Sequence, residues 1–285
     1  MAFGDATDRR VLDAAAIVRD AGIVPVLVRP DCTRTSSLGN VAPGIETVDP
    51  GDTDPLAFLA RYVRSGAADA GIAGSLSTSA SVIRAGIRGL GATGLVTGCF
   101  LIDQGGAAVT YADCSVVPDP TAEQLAEIAA AAADHHRALT REVPRVAMLS
   151  FSTGGSAEHP AVEKVRRATA LVRRLRPDLT VEGELQFDVA VDPGVGSRKL
   201  PTSEVAGRAN VLVFPSLDAG NIAYKVAERV GGARAIGSFV LNLSAPWADV
   251  SRGCSTADLA DTARLLARAA CLRRRNRCEP SERTT

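Results

Sequence analysis

Three stretches of the chain join small residues, hydroxyls and a charged side chain at spacings that suit an anion. Gly74–Ala80 reads GSLSTSA and is followed by Arg84. Phe151–His159 reads FSTGGSAEH, and Val250–Asp258 reads VSRGCSTAD and contains Arg252. Each follows an apolar run and precedes a helical pattern. Small residues let backbone N–H groups approach a ligand, and a helix N-terminus adds partial positive charge, so these loops suit a phosphate-bearing ligand. Ser, Thr and Gly also make ordinary turns and caps. Ser255 to Asp258 fits the S-x-x-D capping pattern, so Asp258 reads equally as a helix cap, where a first-turn carboxylate has its charged form favoured.

Other chemistries are excluded. No GxxxxGK[ST] is present, no GxGxxG follows a strand, and no HExxH or CxxC occurs, so P-loop, dinucleotide and common zinc motifs are missing. Lys+Arg and Asp+Glu are both 32, and this zero balance argues against nucleic-acid and membrane-surface partners, which need a basic excess. Aromatics are 4%, too few for a stacking platform, so the core must come from Val, Leu, Ile and Ala. No apolar run approaches the roughly 18–20 residues of a membrane span, and the start MAFGDATDRR is charged where a leader would be apolar. A soluble, cytoplasmic chain is expected. Its cysteines (Cys32, Cys99, Cys114, Cys254, Cys271, Cys278) are then small buried side chains or free thiols.

The elements that must position these loops alternate. Helical spacing covers 7–21, ending at Gly22, and Ile23–Val28 is a strand. Ala70–Ala73 is a short buried strand before a helix at 79–90. Thr93–Ile102 is a strand, Thr121–Leu139 an Ala-rich helix capped by Thr121, and Arg145–Phe151 a central strand. Pro160 suits the first turn of the next helix, with His159 at its start and Glu163–Arg167 as an i,i+4 pair. His135 and His136 fall on a surface helix without a role. Asn210–Phe214 and Ser238–Leu243 are strands, with helices at 221–230 and 256–272. This repetition predicts an α/β fold with mostly parallel sheets and ligands at the carboxyl ends of strands. Residues 30–56 read as a loop region, and the basic tail CLRRRNRCEPSERTT as a solvated terminus.

The strings RVAMLSFSTGGSAEHPAVEKV, VEGELQFDVAVDP, ANVLVFPSLDAGNIAYKVAERVGG and DVSRGCSTADL resemble the phosphate acetyltransferases (phosphotransacetylases) of the phosphate acetyl/butyryltransferase family. The likeness runs from about residue 108 to 270, with a fainter match at GDATDRRVLDAA. It implies two α/β/α domains with a cleft between them: domain I from residues 1–94 and 241–285, domain II from 95–240. It also implies transfer of acetyl between acetyl phosphate and coenzyme A, with coenzyme A as substrate, no cofactor and no metal, and a homodimer. By resemblance Asp258 deprotonates the thiol, Ser251 positions the thiol or stabilises the tetrahedral intermediate, and Arg252 binds phosphate or the acyl oxygen. Arg84, Ser152, Thr153, Asn221 and Lys225 match residues bordering the substrates. A thiol of pKa about 8.5 is only a few per cent ionised at neutral pH, so a base helps.

Two departures stand beside this likeness. Only Met1–Phe3 precede Gly4, so the first strand reads as cut short, leaving a sheet edge exposed. The segment from about 30 to 72 is shorter than the family's, and a substrate arginine is unassigned, with Arg61 and Arg64 as candidates. The alternatives are a degenerate acyl-CoA- or acyl phosphate-binding regulatory domain and a phosphate butyryltransferase.

Overall fold

The computed structural model describes residues 1–30 and 41–278, with side chains through Arg275. Residues 31–40, which include Cys32, and the end of the basic tail lie outside the described residues; the rest of the 30–56 segment is not all loop, since it holds a strand at Glu46–Val48 and the start of a helix at Pro55. Contacts divide the chain into two compact units, Met1–Gly94 with Gly237–Thr285, and Leu95–Ile236.

The first unit begins with β1 (Ala2–Phe3), α1 (Arg9–Asp20), β2 (Val26–Val28), β3 (Glu46–Val48), α2 (Pro55–Arg64), β4 (Gly71–Ala73) and α3 (Ser79–Leu90). The second unit follows with β5 (Ala92–Gln104), β6 (Ala107–Ala112), α4 (Ala122–Thr140), β7 (Arg145–Leu149), α5 (Pro160–Leu175), β8 (Thr180–Leu185), α6 (Phe187–Val191), α7 (Pro193–Lys199), β9 (Val211–Val213) and α8 (Leu217–Arg229). The chain then completes the first unit with β10 (Arg234–Leu243), β11 (Trp247–Asp249) and α9 (Thr256–Cys278).

In the first unit the strand order is β3-β2-β1-β4-β11-β10, parallel except for β10 against β11. Although β1 has only two residues, Ala2 pairs with both Val26 and Gly71, so it is central and covered on both sides. The expected exposed edge is absent, because two ladder residues suffice when neighbours flank both sides. From β1 the chain crosses toward β2, whereas from β3 it crosses to β4 on the other side. The order therefore reverses between β1 and β4, and right-handed crossovers place α1 and α2 on opposite faces. A crevice opens at the carboxyl ends of strands at such a reversal.

The core of this unit is built around Trp247, fully buried, whose indole N–H donates to the Val82 carbonyl at 3.1 Å. Its ring lies where a Gly71 Cβ would be, 2.5 Å from the nearest ring carbon, so only glycine fits that position of β4. Truncating such an aromatic costs about 3–5 kcal/mol.

In the second unit the order is β5-β6-β9-β7-β8, with β5 and β6 an antiparallel hairpin and the rest parallel. Phe100 and Tyr224 stack with ring centroids 4.1 Å apart, beside Tyr111, Phe214, Leu212 and Leu185. α4 begins with a complete capping box between Thr121 and Gln124, as its sequence predicts. Two expectations fail here. His136 is fully buried, its Nδ1 3.0 Å from the Thr110 hydroxyl, because α4 buries residues around much of its circumference. Glu163 approaches Arg166, at 3.8 Å, while Arg167 turns to Glu123 of the adjacent helix.

Candidate active site

The first unit assembles its loops where the strand order reverses. After β1 the chain passes Asp5 and Asp8 into α1. Asp8 caps that helix by accepting from Arg10 N at 2.9 Å. After β4 it turns at Gly74 into the GSLSTS loop, and Thr78 caps α3, accepting from Ser81 N at 3.3 Å. After β11 it enters Val250 and the SRGCS loop, which leads into α9.

Two charged residues fix these loops through their backbones. The Asp5 carboxylate accepts from Gly74 N at 2.7 Å, Leu76 N at 3.3 Å and the Ser77 hydroxyl at 2.7 Å. Arg10 donates through Nη1 to the Arg252 carbonyl at 2.8 Å and the Cys254 carbonyl at 2.7 Å, and through Nη2 to the Ser75 carbonyl at 3.0 Å. Its Nε and Nη2 also hold the Asp8 carboxylate, with Nη2 to Oδ2 at 2.7 Å. Burial alone would raise Asp8, but the side-chain and backbone hydrogen bonds from Arg10 outweigh it and hold the carboxyl below its ordinary range. The planar guanidinium fork thus ties the SRGC and GSLS loops together across 244 and 65 residues of sequence. Neither Asp5 nor Arg10 is marked by local pattern. Both lie in GDATDRR, the fainter of the resembling strings.

Close approach does the rest. Gly74 has φ +119°, and a Cβ there would lie 2.3 Å from the Val250 carbonyl oxygen and 2.6 Å from Asp249 Oδ1. Any larger residue would push the two loops apart. Asp249 is buried, and its Oδ1 has no hydrogen-bond partner. Burial, with the charge of Asp5 adding to it, pushes its carboxyl up to about 6.

The sequence-predicted residues take these places. Ser251 is half-buried and its hydroxyl accepts from Gly253 N at 3.2 Å. Arg252 is exposed, with its carbonyl rather than its guanidinium engaged by Arg10. Asp258 Oδ2 accepts from Ser255 N at 3.0 Å and the Ser255 hydroxyl at 2.7 Å, while Asp258 N donates back to Ser255 Oγ at 3.1 Å. The capping arrangement is therefore real, and it fixes the carboxylate against Ser255 at the start of α9. Cys254 is buried between them, and burial pushes its thiol up to about 11, so it is an inert packed side chain. Arg84 is exposed on α3, one and a half turns from the cap.

The other four lie in the second unit. Ser152 is fully buried and donates to Glu184 Oε1 at 2.8 Å. Thr153 Oγ1 accepts from Gln186 N at 2.9 Å. Glu184, itself buried, also accepts from Gly155 N at 3.0 Å and from Arg166 Nε at 2.9 Å. Burial would raise this carboxyl, but hydrogen bonds from Arg166, Gly155 and Ser152 bring it down to about 2. Both predicted hydroxyls therefore shape the FSTGGS loop from inside. Asn221 Nδ2 donates to the Cys114 carbonyl at 3.0 Å, holding α8 to the segment after β6. Lys225 is exposed, with Nζ against the Tyr224 hydroxyl and 4.2 Å from its ring centroid. His159 caps α5, its Nδ1 accepting from Ala161 N at 3.1 Å. Among the described residues Cys99, Cys114, Cys254 and Cys271 are free thiols, no group of side chains could hold a metal ion, and no helix is long and apolar enough to cross a membrane.

Comparison with known proteins identifies relatives of this arrangement. A family model described as phosphate acetyl/butaryl transferase matches residues 44–267. The chain is 44% identical over 223 residues to a phosphate acetyltransferase from Paracoccus denitrificans, covering 75% of this chain and 70% of that protein. It is 42% identical over 215 residues to the Clostridium acetobutylicum phosphate acetyltransferase, covering 72% and 65%. The matched stretch thus spans about two thirds of the length of these relatives. Among solved structures, the EutD phosphotransacetylase from Staphylococcus aureus matches with a TM-score of 0.83 and 31% identity over 95% of this chain and 94% of that one. A phosphotransacetylase from Streptococcus pyogenes matches with a TM-score of 0.84 and 33% identity over the same shares.

Proposed function

Because the chain belongs to the phosphate acetyl/butaryl transferase family, we propose that it transfers an acetyl group between acetyl phosphate and coenzyme A. The observation that carries this reading is the pair of loops joined by Arg10, which places Ser251, Arg252 and Asp258 on one short, fixed segment. Relatives named phosphate acetyltransferase support the choice of acyl donor and acceptor.

In this reading Asp258 takes the thiol proton of coenzyme A. The thiolate sulfur attacks the acetyl carbonyl carbon, and the C–S bond forms. Arg252 stabilises the oxyanion of the tetrahedral intermediate or the departing phosphate, each of which suits its fork of donors. Ser251 positions the thiol. The C–O bond to phosphate then breaks, and inorganic phosphate and acetyl-CoA result. Direct attack forms no acyl-enzyme, and coenzyme A enters as substrate. Proximity supplies much of the drive, since Asp258 is held in place by Ser255. Arg84 binds substrate from α3. Ser152 and Thr153 contribute through the loop they shape, Asn221 through the segment it ties to α8, and Lys225 through its exposed charge.

We further take residues 1–94 and 241–285 as domain I and 95–240 as domain II, and the cytoplasm, where thiols stay reduced, as the compartment. The proposed homodimer is supported by an apolar stripe on α8, where Ile222, Val226 and Val230 recur every four residues and are 61%, 51% and 83% exposed.

The test mixes purified protein with acetyl phosphate and coenzyme A and follows thioester formation, with butyryl phosphate as the competing donor. Turnover with acetyl phosphate preferred is expected. Asp258→Asn and Arg252→Gln should each lower the rate about tenfold or more. Ligand binding without turnover would replace the enzyme by a binding domain.

A further inference from the structure

A cavity of about 290 Å³ lies at the amino-terminal edge of the first unit's sheet. Four segments wall it. Arg64 comes from the end of α2, Asp69 from the approach to β4, Ala245 from the turn between β10 and β11, and Arg273 and Arg274 from α9. β4 and β11 pair in parallel from Gly71 to Ala73 and from Trp247 to Asp249. At a rise of about 3.3 Å per residue each strand spans only about 10 Å. Their carboxyl ends lead into Gly74 and Val250, where the candidate active-site loops begin. Their amino ends lead back to the cavity, and Gly71 N donates to the Pro246 carbonyl at 3.1 Å. Along α9, Asp258 and Arg273 are roughly 22 Å apart at 1.5 Å per residue. The cavity is therefore separate from the loops that carry Ser251, Arg252 and Asp258.

Three guanidinium groups and one carboxylate line it. The carboxylate is already engaged, since Asp69 pairs with Arg274. Arg64 pairs with no carboxylate among the described residues. Its Nη1 donates to the Gly89 carbonyl at 3.2 Å, which fixes the side chain without neutralising it. A guanidinium has further N–H donors in the same plane, so one such bond leaves a fork for a ligand. Arg273 Nη2 donates to the Leu243 carbonyl at 2.9 Å. The Asp69–Arg274 pair is exposed on both sides, so it contributes little and opens readily toward a stronger partner. The end of α2 presents carbonyl groups with partial negative charge. Attraction for an anion must therefore come from the arginine side chains, and Arg64 is tied by a neutral carbonyl rather than by a carboxylate.

We propose that this cavity is a second anion site, which takes a tetrahedral oxyanion as inorganic phosphate or as the phosphate of a small ester. Arg64 holds the ion from α2 and Arg274 from α9. The inference stands apart from the acyl-transfer reading, since none of the residues given a part in that reaction lines the cavity. The volume equals that of roughly ten waters, which accommodates a phosphate with part of its ester. An arginine fork matches two phosphate oxygens at once, and two forks on separate elements grip the ion from two directions. A bound ion joins the end of α2 to α9 behind the two short strands that carry the active-site loops.

The test titrates inorganic phosphate and glycerol 3-phosphate separately, by calorimetry, into the full chain carrying Arg252→Gln, which weakens the phosphate contact proposed for the active site. Saturable binding is expected, with a melting midpoint that rises with ligand concentration. Adding Arg274→Gln or Ala245→Asp should each weaken binding about tenfold or more. The first removes a fork, and the second sets a carboxylate in the lining without touching an arginine. Hydrogen exchange should slow on binding at residues 64–69 and 270–274. Tighter binding of the ester identifies a small phosphorylated metabolite as the source, tighter binding of phosphate identifies the inorganic ion, and either result supports the site. No saturable binding of either probe overturns the proposal, as does binding that Arg274→Gln and Ala245→Asp leave unchanged. Protection confined to residues 251–258 places the ion at the active-site loops and overturns it too. The thioester assay on the parent reports on acyl transfer alone, so the two readings can fail separately.

Discussion

Asp249 offers a test of how the junction of the two loops is built. It is 3% exposed, its Oδ1 lacks a hydrogen-bond partner, and the charge of Asp5 stands nearby. Burial first, then Asp5, raises its carboxyl from 3.8 to about 6, against a smaller opposing contribution from the Ser79 hydroxyl. The sign follows from which state loses its proton first. In the unfolded chain the group ionises near 3.8; in the folded chain it keeps its proton until about 6. The contribution of Asp249 to stability is therefore most favourable below pH 3.8, falls as pH rises through this window, and stays lowered above about 6. At about 1.4 kcal/mol for each tenfold change, the loss amounts to roughly 3 kcal/mol.

Asp249→Asn keeps the shape and removes the titration. The variant should match the parent below about pH 3, where neither state is ionised to any extent, and exceed it by up to roughly 3 kcal/mol near pH 8. At about 2–4 °C per kcal/mol for a domain this size, the melting temperature near neutrality should rise roughly 6–12 °C. Thermal and urea unfolding of parent and variant across this range measure it directly. A gain that does not change with pH, or a loss near pH 8, would refute the reasoning: the first means that folding does not shift the carboxyl, the second that the carboxylate is stabilised as an anion in the folded chain.

Two further substitutions probe the loop supports. Arg10→Met removes three bonds to backbone carbonyls and should cost about 2 kcal/mol of stability, with kcat down about tenfold or more and hydrogen exchange faster at residues 251–254; full rate with unchanged exchange would show the loops hold themselves. Arg10→Lys should recover only part, having no fork. Glu184→Gln leaves Arg166 without its buried partner and should cost about 3 kcal/mol near neutrality. Because Glu184 is lowered to about 2, its contribution is complete above its ordinary 4.5 and is lost as pH falls through about 2, so the gap between parent and variant should narrow in that window.

Local chemistry was legible where a few neighbouring residues decide the outcome. α3 spans Ser79–Leu90 as its pattern predicts, and Pro160 with His159 starts α5. Strands β6 and β8 were not read, because AAVTYA and TVEGEL alternate weakly and gain their structure from neighbours on the sheet. His136 follows the same logic: in an Ala-rich helix the burial of any one side chain depends on which elements pack on it, here β6 through Thr110. For the candidate site, the sequence reads Ser255 to Asp258 as a capping pattern, and the structure has that cap. Asp5 and Arg10 were not legible, since their partners are 65 to 244 residues away and nothing local distinguishes a clamp from a surface charge.

That division has a physical reason. The loops that carry the candidate residues are held largely, though not wholly, through their backbone groups. Asp5 collects amides of the GSLSTS loop, and Arg10 collects carbonyls of that loop and of SRGC. In the second unit Glu184 collects Gly155 N from below while Arg166 neutralises it. Each anchor is a charged group already satisfied by the loop it holds or by a partner, so it adds little net field where substrate binds. Arg10 engages Arg252 through its carbonyl, which leaves the Arg252 guanidinium out of the loop's support. A chain of zero net charge can in this way keep individual cationic groups clear of its loop supports without a basic surface. The preorganisation of these loops thus lies largely in the backbone.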